Sequence, residues 1–180
     1  MLEIKVPGRE LYDETRNLFI TTHDTKLTLE HSLISLSKWE SKWCKPFLSK
    51  ESKTTEQVID YIRCMTLTQN VDPNVFKCFD PLSIKKINEY IEAPMTATWF
   101  SEKNNKTPSR EIITSELIYY WMIALGIPFE CQKWHLNRLL TLIRVCSIKN
   151  QPPKKMSTKD ILSRNTSLNA ARRAVLKSKG

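Results

Sequence analysis

Residues 107–150 read TPSREIITSELIYYWMIALGIPFECQKWHLNRLLTLIRVCSIKN, and this stretch decides the fold. Thr107 is a helix-capping residue, and Pro108 suits the first helical position, where a missing N–H costs nothing. Two apolar series then recur at spacings of three and four residues, which is typical of one helix face. Gly126 and Pro128 separate the series, so the sequence predicts two long helices that fold back as an antiparallel pair. The first series is Ile112, Ile113, Leu117, Tyr120, Trp121, Ala124 and Leu125, and the second is Trp134, Leu136, Leu139, Leu140, Leu142, Ile143 and Cys146.

Size and composition indicate a single folded domain without cofactor chemistry. The chain has 180 residues, 41% of them hydrophobic, and five Trp, which argues against intrinsic disorder. Its three scattered Gly cannot form a phosphate loop or a dinucleotide fingerprint, because both need clustered glycines. The five Cys include no CxxC zinc or redox pair, so a reduced intracellular protein is expected. We therefore expect neither a cofactor nor a metal.

No membrane association is expected either. The longest apolar runs fall well short of the roughly 20 residues that a helix needs to cross a bilayer. The N-terminal sequence, MLEIKVPGRE, also lacks the apolar segment of a signal peptide.

Positive charge is concentrated at the C-terminal end. Of a formal net charge of +9, residues 149–180 carry nine Lys or Arg and one acid, which leaves nineteen bases and eighteen acids for residues 1–148. A Pro-Pro pair disfavours helix between these parts, so we expect a helical body at 1–150 and a basic, partly flexible tail at 151–180. Such a tail attracts nucleic acid, anionic lipid or an acidic protein, although a solvated tail without a charged partner explains the same composition. Its most prominent bases are Lys154, Lys155, Arg164, Arg172 and Arg173.

The first 22 residues predict a β-hairpin. Leu2, Ile4 and Val6 alternate with polar residues, which is the period of a half-buried strand. A Pro-Gly turn signal follows, and residues 15–22, TRNLFITT, have the β-favouring content of a partner strand. Residues 95–100, MTATWF, also favour a strand and are candidates for a third member of this sheet.

Apolar periodicity predicts two helices after the hairpin. The first spans about residues 28–43, with His31 half exposed beside its apolar stripe. The second begins at Thr54, whose spacing from Gln57 matches a capping box, and ends near residue 68.

Two further helices complete the predicted fold. One begins at Asp80-Pro81, a capping residue followed by a favourable first-turn proline. The other follows Ser157 in the basic tail and has a thin apolar stripe that would become ordered only against a partner. The sequence therefore predicts a mainly α domain with a long α-hairpin in the C-terminal half and a small N-terminal β-hairpin. The stripe consists of Ile161, Leu162, Leu168, Ala171 and Val175.

Motifs that suggest catalysis are weak. Ser35 and Lys38 match a Ser-x-x-Lys nucleophile pattern, but its companion motifs are missing and both fit the outer face of an amphipathic helix. Cys131 and His135 lie four residues apart on a predicted helix and could share a metal, yet no second Cys/His pair lies near them. A buried thiol and an imidazole at the helix edge is the simpler interpretation. We expect no enzyme activity.

Aromatic residues on the predicted helices are the candidate partner-binding residues. A protein that holds helical segments of another chain needs apolar grooves, which closely spaced aromatic side chains can line. An aromatic beside an arginine can also stack on nucleic-acid bases. The alternative is that each of these aromatics fills the core of the body itself. The candidates are Trp39, Trp43, Tyr119, Trp121, Trp134 and Arg138.

Three stretches and the tail carry a family resemblance. They are LTLEHSLISLSKWESKWCKPFLS (27–49), TTEQVIDYIRCM (54–65), ELIYYWMIALGIPFECQKWHLNRLLTLIRVC (116–146) and LNAARRAVLKSKG (168–180). Together they resemble the tail assembly chaperones of tailed bacteriophages, which are small helical morphogenesis proteins. The resemblance covers most of the chain and rests on strings that have no catalytic meaning.

The resemblance implies a non-catalytic protein that acts in the host cytoplasm. Such chaperones bind the long tape-measure protein, keep its apolar helices soluble and help recruit tail-tube subunits. Many are made in short and frameshifted longer forms, and the C-terminus here would suit the short form if its codons contain a slippery A-rich run. Two other classes stay open. One is a structural head–tail or tail component of the virion, which would self-associate or join a ring, and the other is a nucleic-acid-binding protein that uses the basic tail.

Overall fold

The computed structural model describes residues 1–14, 17–100, 112–151 and 158–177, without the side chains of Asp13 and Asp160. The chain divides into two compact units, Met1–Ser147 and Ile148–Gly180. The described chain is mainly helical, with 3-10 turns at Pro73–Lys77 and Phe129–Lys133. Its strands are β1 (Leu2–Val6), β2 (Glu10–Asp13), β3 (Leu18–Thr21) and β4 (Thr25–Leu29), and its helices are α1 (Leu33–Trp43), α2 (Thr55–Met65), α3 (Pro81–Glu92), α4 (Ser115–Ala124), α5 (Leu136–Asn150) and α6 (Thr158–Leu176).

The N-terminal strands pair differently from the prediction. β1 pairs antiparallel with β4, with Ile4 opposite Leu27, and β2 pairs with β3, with Tyr12 opposite Phe19. The predicted pairing of β1 with residues 15–22 is therefore wrong, although β3 does lie within that range. The pairing of β1 with β4 buries the inward side chains of both strands, and this burial outweighs the closer sequence neighbour.

The predicted start of the first helix at residue 28 is also wrong. Residues up to Leu29 belong to β4, and α1 begins at Leu33. Ser32 caps it by accepting a hydrogen bond from the Ser35 backbone N–H at 3.2 Å. Leu29 fits the apolar spacing of α1 in the sequence, but its strand pairing buries it completely.

The second and third helices begin where their capping motifs predict. Thr54 and Gln57 exchange both hydrogen bonds of the capping box, at 3.0 and 3.3 Å. Asp80 caps α3 by accepting from the Ser83 N–H at 3.0 Å. The end predicted near residue 68 is too late, because α2 ends at Met65 and the Leu67 N–H bonds back to β4.

Residues 95–100 do not form the predicted third strand. Met95 has a φ of 49°, in the left-handed region that an extended strand does not use. The segment follows α3 as irregular chain and contacts α5 instead of the N-terminal sheets.

The C-terminal half supplies two helices, but not with the predicted limits. Residues 112–114 are not helical, and α4 begins at Ser115 with Thr114 as its cap. The predicted cap at Thr107-Pro108 lies outside the described residues. Gly126, with a φ of 63°, follows the end of α4, and α5 begins at Leu136, two residues after the predicted Trp134.

The two helices of this half share a core with α1. Ile118 and Met122 of α4 and Leu136 and Leu139 of α5 are fully buried in it. The chief helical neighbour of α4 is α1, so α4 and α5 meet through a shared three-helix core more than as an isolated pair.

A second core lies between the N-terminal sheets, α2 and α3. Trp39 from α1 is buried in this core, whereas Leu33 and Leu36 of the same helix belong to the other. Partly buried Phe47 packs against both. Helix α1 is therefore the element that joins the two halves of the body.

Candidate interaction surfaces

Of the candidate aromatics Trp39 and Trp43, the first lies in the core and the second at the surface. Trp39 is 1% exposed, and its indole N–H donates to the Gln57 carbonyl at 2.9 Å. Trp39 therefore contributes to the core and not to an exposed surface. Trp43 is half-buried, donates to an Asp60 carboxylate oxygen at 2.9 Å and lies near the Lys42 ammonium.

The Asp60 carboxylate of α2 binds both Lys42 and Trp43 at the end of α1. Burial raises the pKa of its carboxyl, but the hydrogen bonds from Lys42 and Trp43 outweigh that effect and hold the pKa below its ordinary value. Trp43 is thereby fixed as the neighbour of an ion pair at the edge of α1.

Three further candidate aromatics, Tyr119, Trp121 and Trp134, are half-buried. The Tyr119 hydroxyl donates to Gln132 Oε1 at 2.9 Å, which ties α4 to the 3-10 turn before α5. Trp121 packs against the core shared by α1, α4 and α5. The half-buried Trp134 lies under the exposed Arg138 guanidinium at 4.2 Å, a cation–π pair at the start of α5. The structure therefore brings two of the candidate partner-binding residues, Trp134 and Arg138, into contact with each other.

A cluster of buried polar groups lies between the two cores, and the sequence interpretation missed it. His31, predicted as half exposed, is 2% exposed, and His135, predicted at a helix edge, is 6% exposed. Their rings meet edge to face at 5.1 Å. The Tyr61 hydroxyl is 2.6 Å from His31 Nδ1, and His135 Nε2 is 2.9 Å from the Tyr90 carbonyl oxygen.

Glu30 extends this polar cluster to the chain terminus. Its carboxylate accepts from the Tyr90 hydroxyl at 2.8 Å and lies 3.1 Å from the Met1 amine. The Leu136 N–H donates to the His31 carbonyl at 2.7 Å. The cluster therefore connects the β4–α1 junction to α2, α3 and the start of α5.

Burial determines the charge state of this cluster. Desolvation, aided by the neighbouring His135, lowers the pKa of His31 to about 3. Desolvation also lowers the pKa of His135, against the hydrogen bond to the Tyr90 carbonyl. Both imidazoles are therefore neutral near pH 7, and the Asn137 N–H donating to His135 Nδ1 at 3.3 Å leaves Nε2 as its protonated nitrogen.

The residues of the two weak catalytic patterns, Ser35 with Lys38 and Cys131 with His135, have structural environments that do not suggest catalysis. Ser35, predicted on an outer face, is 2% exposed, and its hydroxyl donates to the Glu30 carbonyl at 2.9 Å, whereas Lys38 is exposed. Cys131 is buried as predicted but lies in a 3-10 turn, so it does not share a helix face with His135. Within the described parts of the chain, no three His, Cys, Asp or Glu residues come together in a group that could hold a metal ion.

Helix α4 presents apolar side chains on its outer face as well as its inner one. Tyr120 is 61% exposed and Ile123 is 64% exposed, one helical turn apart. Ile112 and Phe129, which flank the helix in sequence, are 62% and 53% exposed. A helix that is apolar all round is normally buried, so this outer face is a candidate binding surface.

A second surface is the groove between residues 94–100 and α5, here called the α5 groove. Its volume is about 430 Å³, and among the described residues that line it Arg144 is the one with a charge. The Arg144 guanidinium stacks on Phe100 at 4.1 Å, and Trp99 beside it is 84% exposed. Sequence reasoning missed this groove because it treated these aromatics as part of a strand. It is lined by Pro94, Thr96, Thr98, Trp99, Phe100, Leu140, Thr141 and Arg144.

The basic tail forms a helix whose described side chains are all exposed. Arg164, Arg172 and Arg173 lie on α6, whereas Lys154 and Lys155 lie outside the described residues. Ile161, Leu168 and Val175, spaced seven residues apart, are 44%, 44% and 82% exposed. This helix therefore offers both charge and apolar surface to solvent.

Comparison with known proteins assigns neither a family nor a fold. No protein-family model, no curated protein and no solved structure matches the chain. Among the helices that the structure describes, none combines the length and apolar character required to cross a membrane.

Proposed function

We propose that the chain is a non-catalytic tail assembly chaperone of a tailed bacteriophage. In this role it binds apolar helical segments of the tape-measure protein in the host cytoplasm and recruits tail-tube subunits. The observation that carries the proposal is the apolar outer face of α4, which leaves Tyr120 and Ile123 mostly in solvent. The family resemblance in the sequence supplies the identity of the partner.

The outer face of α4 has the chemistry that such binding needs. An amphipathic partner helix binds through side chains spaced three and four residues apart. Tyr120 and Ile123 repeat at that spacing, and covering each would contribute on the order of 1–2 kcal/mol. The inner residues Ile118 and Met122 are fully buried, so a partner can bind the outer face without unfolding the body.

Affinity capture from infected cells tests the proposal. Lysate containing the tagged full chain is treated with nuclease and washed at low and high salt, and the partners are identified by mass spectrometry. We expect a large helical tape-measure-like chain or a tube subunit to survive both washes. Capsid or neck proteins as the main partners, or presence of the chain in purified particles, would favour a structural virion component instead.

Paired variants assign the binding to α4. The double substitution Tyr120→Ser with Ile123→Ser should abolish recovery of the partner. Leu82→Ser is the matched control, because Leu82 is 68% exposed on α3, away from this surface. Equal recovery with both variants would contradict a role for the outer face of α4.

The exposed arginines of α6 favour one second candidate, binding to nucleic acid. Arg172 and Arg173 are adjacent and exposed, and phosphate contacts by such side chains make affinity fall steeply with salt, by about one log unit per log of salt for each contact. Arg172→Glu with Arg173→Glu should reduce that slope if nucleic acid is the partner. A salt-independent partner that resists nuclease would exclude this candidate.

A further inference from the structure

The β2–β3 hairpin presents an apolar surface to solvent. Tyr12 and Phe19 face each other across the two strands, with ring centroids 5.1 Å apart, and are 51% and 73% exposed. Leu18, next to the turn, is 60% exposed. Leu11 from the same hairpin packs against the body core, so the hairpin is anchored on one side and open on the other.

This hairpin surface, here called the aromatic knob (Tyr12, Leu18 and Phe19), lies in an acidic segment. Residues 10–21 contain three acids and one base, in a chain whose net charge is +9. The Tyr12 hydroxyl also bonds to the Asn17 side chain, which restrains the tyrosine. A partner for the knob should therefore combine apolar surface with positive charge. The acids are Glu10, Asp13 and Glu14, and the base is Arg16.

The α5 groove has those properties. Its lining combines aromatic, aliphatic and threonine side chains around a volume far larger than the roughly 30 Å³ that a water molecule occupies in the liquid. Among the residues that the structure describes, Arg144 is the only charged one that lines the groove, and it makes no ion pair with any of the others. Arg144 is exposed beside the Phe100 ring, and a guanidinium carries five N–H donors, so donors remain for a carboxylate.

We infer that the aromatic knob of one copy inserts into the α5 groove of a second copy. Phe19 and Tyr12 pack beside Trp99, and a hairpin carboxylate pairs with Arg144. Tryptophan, tyrosine and arginine are the side chains that dominate protein–protein binding energy; the knob contains a tyrosine, and the groove contains a tryptophan and an arginine. Self-association of this kind does not depend on chaperone activity.

The contact is head to tail, because the knob and the groove are different surfaces. Such a contact leaves one knob and one groove unoccupied in every dimer. Further copies can therefore add to each dimer, and the assembly becomes either a closed ring or an open chain. Continued growth distinguishes this head-to-tail assembly from a symmetric dimer, in which the two copies would occupy all of the binding surfaces.

Sedimentation of the full chain over a roughly hundredfold concentration range tests the inference. We expect the average mass of the wild type to rise with concentration. Phe19→Ser, which removes the knob, and Arg144→Glu, which reverses the groove charge, should each be monomeric. Both positions tolerate polar residues because Phe19 is mostly exposed and Arg144 is exposed, and circular dichroism verifies the fold.

Mixing the two variants is the decisive step. An equimolar mixture retains one intact knob and one intact groove, so it should form a dimer and nothing larger. The double variant should stay monomeric, and Leu82→Ser, a control at an exposed apolar residue of α3, should behave as the wild type. A monomeric wild type at the highest concentration, or a mixture that stays monomeric, would overturn the inference.

Discussion

The body and helix α6 are stabilised in different ways. In the body, residues far apart in sequence form two cores and a buried polar cluster, such as His31 with His135. In α6, every described side chain is exposed, and helical hydrogen bonds are local. Most of the stability of a helix in a protein comes from packing of a buried apolar face, which α6 lacks among its described side chains. We therefore expect the body to hold a fixed structure of its own, whereas the stability of α6 should depend on what binds it.

The largest expected effect comes from truncating equivalent leucines in the two regions. Leu36 is fully buried, so Leu36→Ala should lower the free energy of unfolding by about 2–5 kcal/mol. Leu168→Ala on α6 should change it by less than about 0.5 kcal/mol. Urea unfolding followed by tryptophan fluorescence reports on the body, because all five Trp precede residue 135. Similar losses for both variants would mean that the contrast is false.

Acid should weaken the body through its buried histidines. The pKa of His31 is lowered to about 3 in the folded chain and is about 6.5 in the unfolded one, so unfolding takes up a proton between these values. The free energy of unfolding should therefore fall as pH decreases below about 6.5, by up to ~1.4 kcal/mol per pH unit for this group. His135, whose pKa is also lowered, adds to the same trend.

Urea titrations between about pH 7 and about pH 5 measure this slope. His31→Gln should flatten it, while His23→Gln, at an exposed position, should leave it unchanged. An unaltered slope in His31→Gln would show that the acid sensitivity has another origin. Helix α6 contains no histidine, so its helicity should lack this dependence.

A buried carboxylate provides a smaller test of the long-range bonding in the body. Glu40 is 7% exposed and accepts from the Phe47 N–H at 2.8 Å and the Ser115 N–H at 2.7 Å. Glu40→Gln removes one of these acceptors and should cost about 1.5–3 kcal/mol. The exposed Glu51→Gln is the matched control and should be neutral in the same urea experiment. A neutral Glu40→Gln would mean that this link between α1 and α4 contributes little.

The smallest effect is expected at a helix cap. Thr54→Ala removes the capping-box hydroxyl of α2 and should cost about 1 kcal/mol. Its neighbour Thr55, the exposed first residue of the helix, does not form the cap, so Thr55→Ala should cost clearly less. Thermal unfolding of the two variants side by side makes the comparison, and a reversed order would contradict the capping assignment.

Features that depend on neighbouring residues could be predicted from the sequence, whereas features that depend on contacts between distant residues could not. The starts of α2 and α3 follow from Thr54 and Asp80, because a cap acts within three residues. The sequence does not show that Leu29 belongs to a strand, because only its pairing with β1 distinguishes it from the apolar stripe of α1. The polar cluster stayed hidden for the same reason, as His31 and His135 are 104 residues apart.

The candidate surfaces show the same contrast between local and long-range contacts. The stacking of Trp134 and Arg138 follows from their closeness in sequence. The α5 groove does not, because it depends on how residues 94–100 lie against Arg144. Periodicity also cannot tell which apolar face of α4 the fold covers, and only the three-dimensional packing identifies Tyr120 and Ile123 as exposed.

Hydrogen exchange across the full chain tests the contrast between the two regions most directly. Amides in α1 and α2 should exchange only through global unfolding, because these helices line the buried cores. Amides in α6 should exchange orders of magnitude faster in the purified protein, since local fraying opens them. Protection of α6 equal to that of α2, in a sample shown to be free of bound partner, would contradict the account.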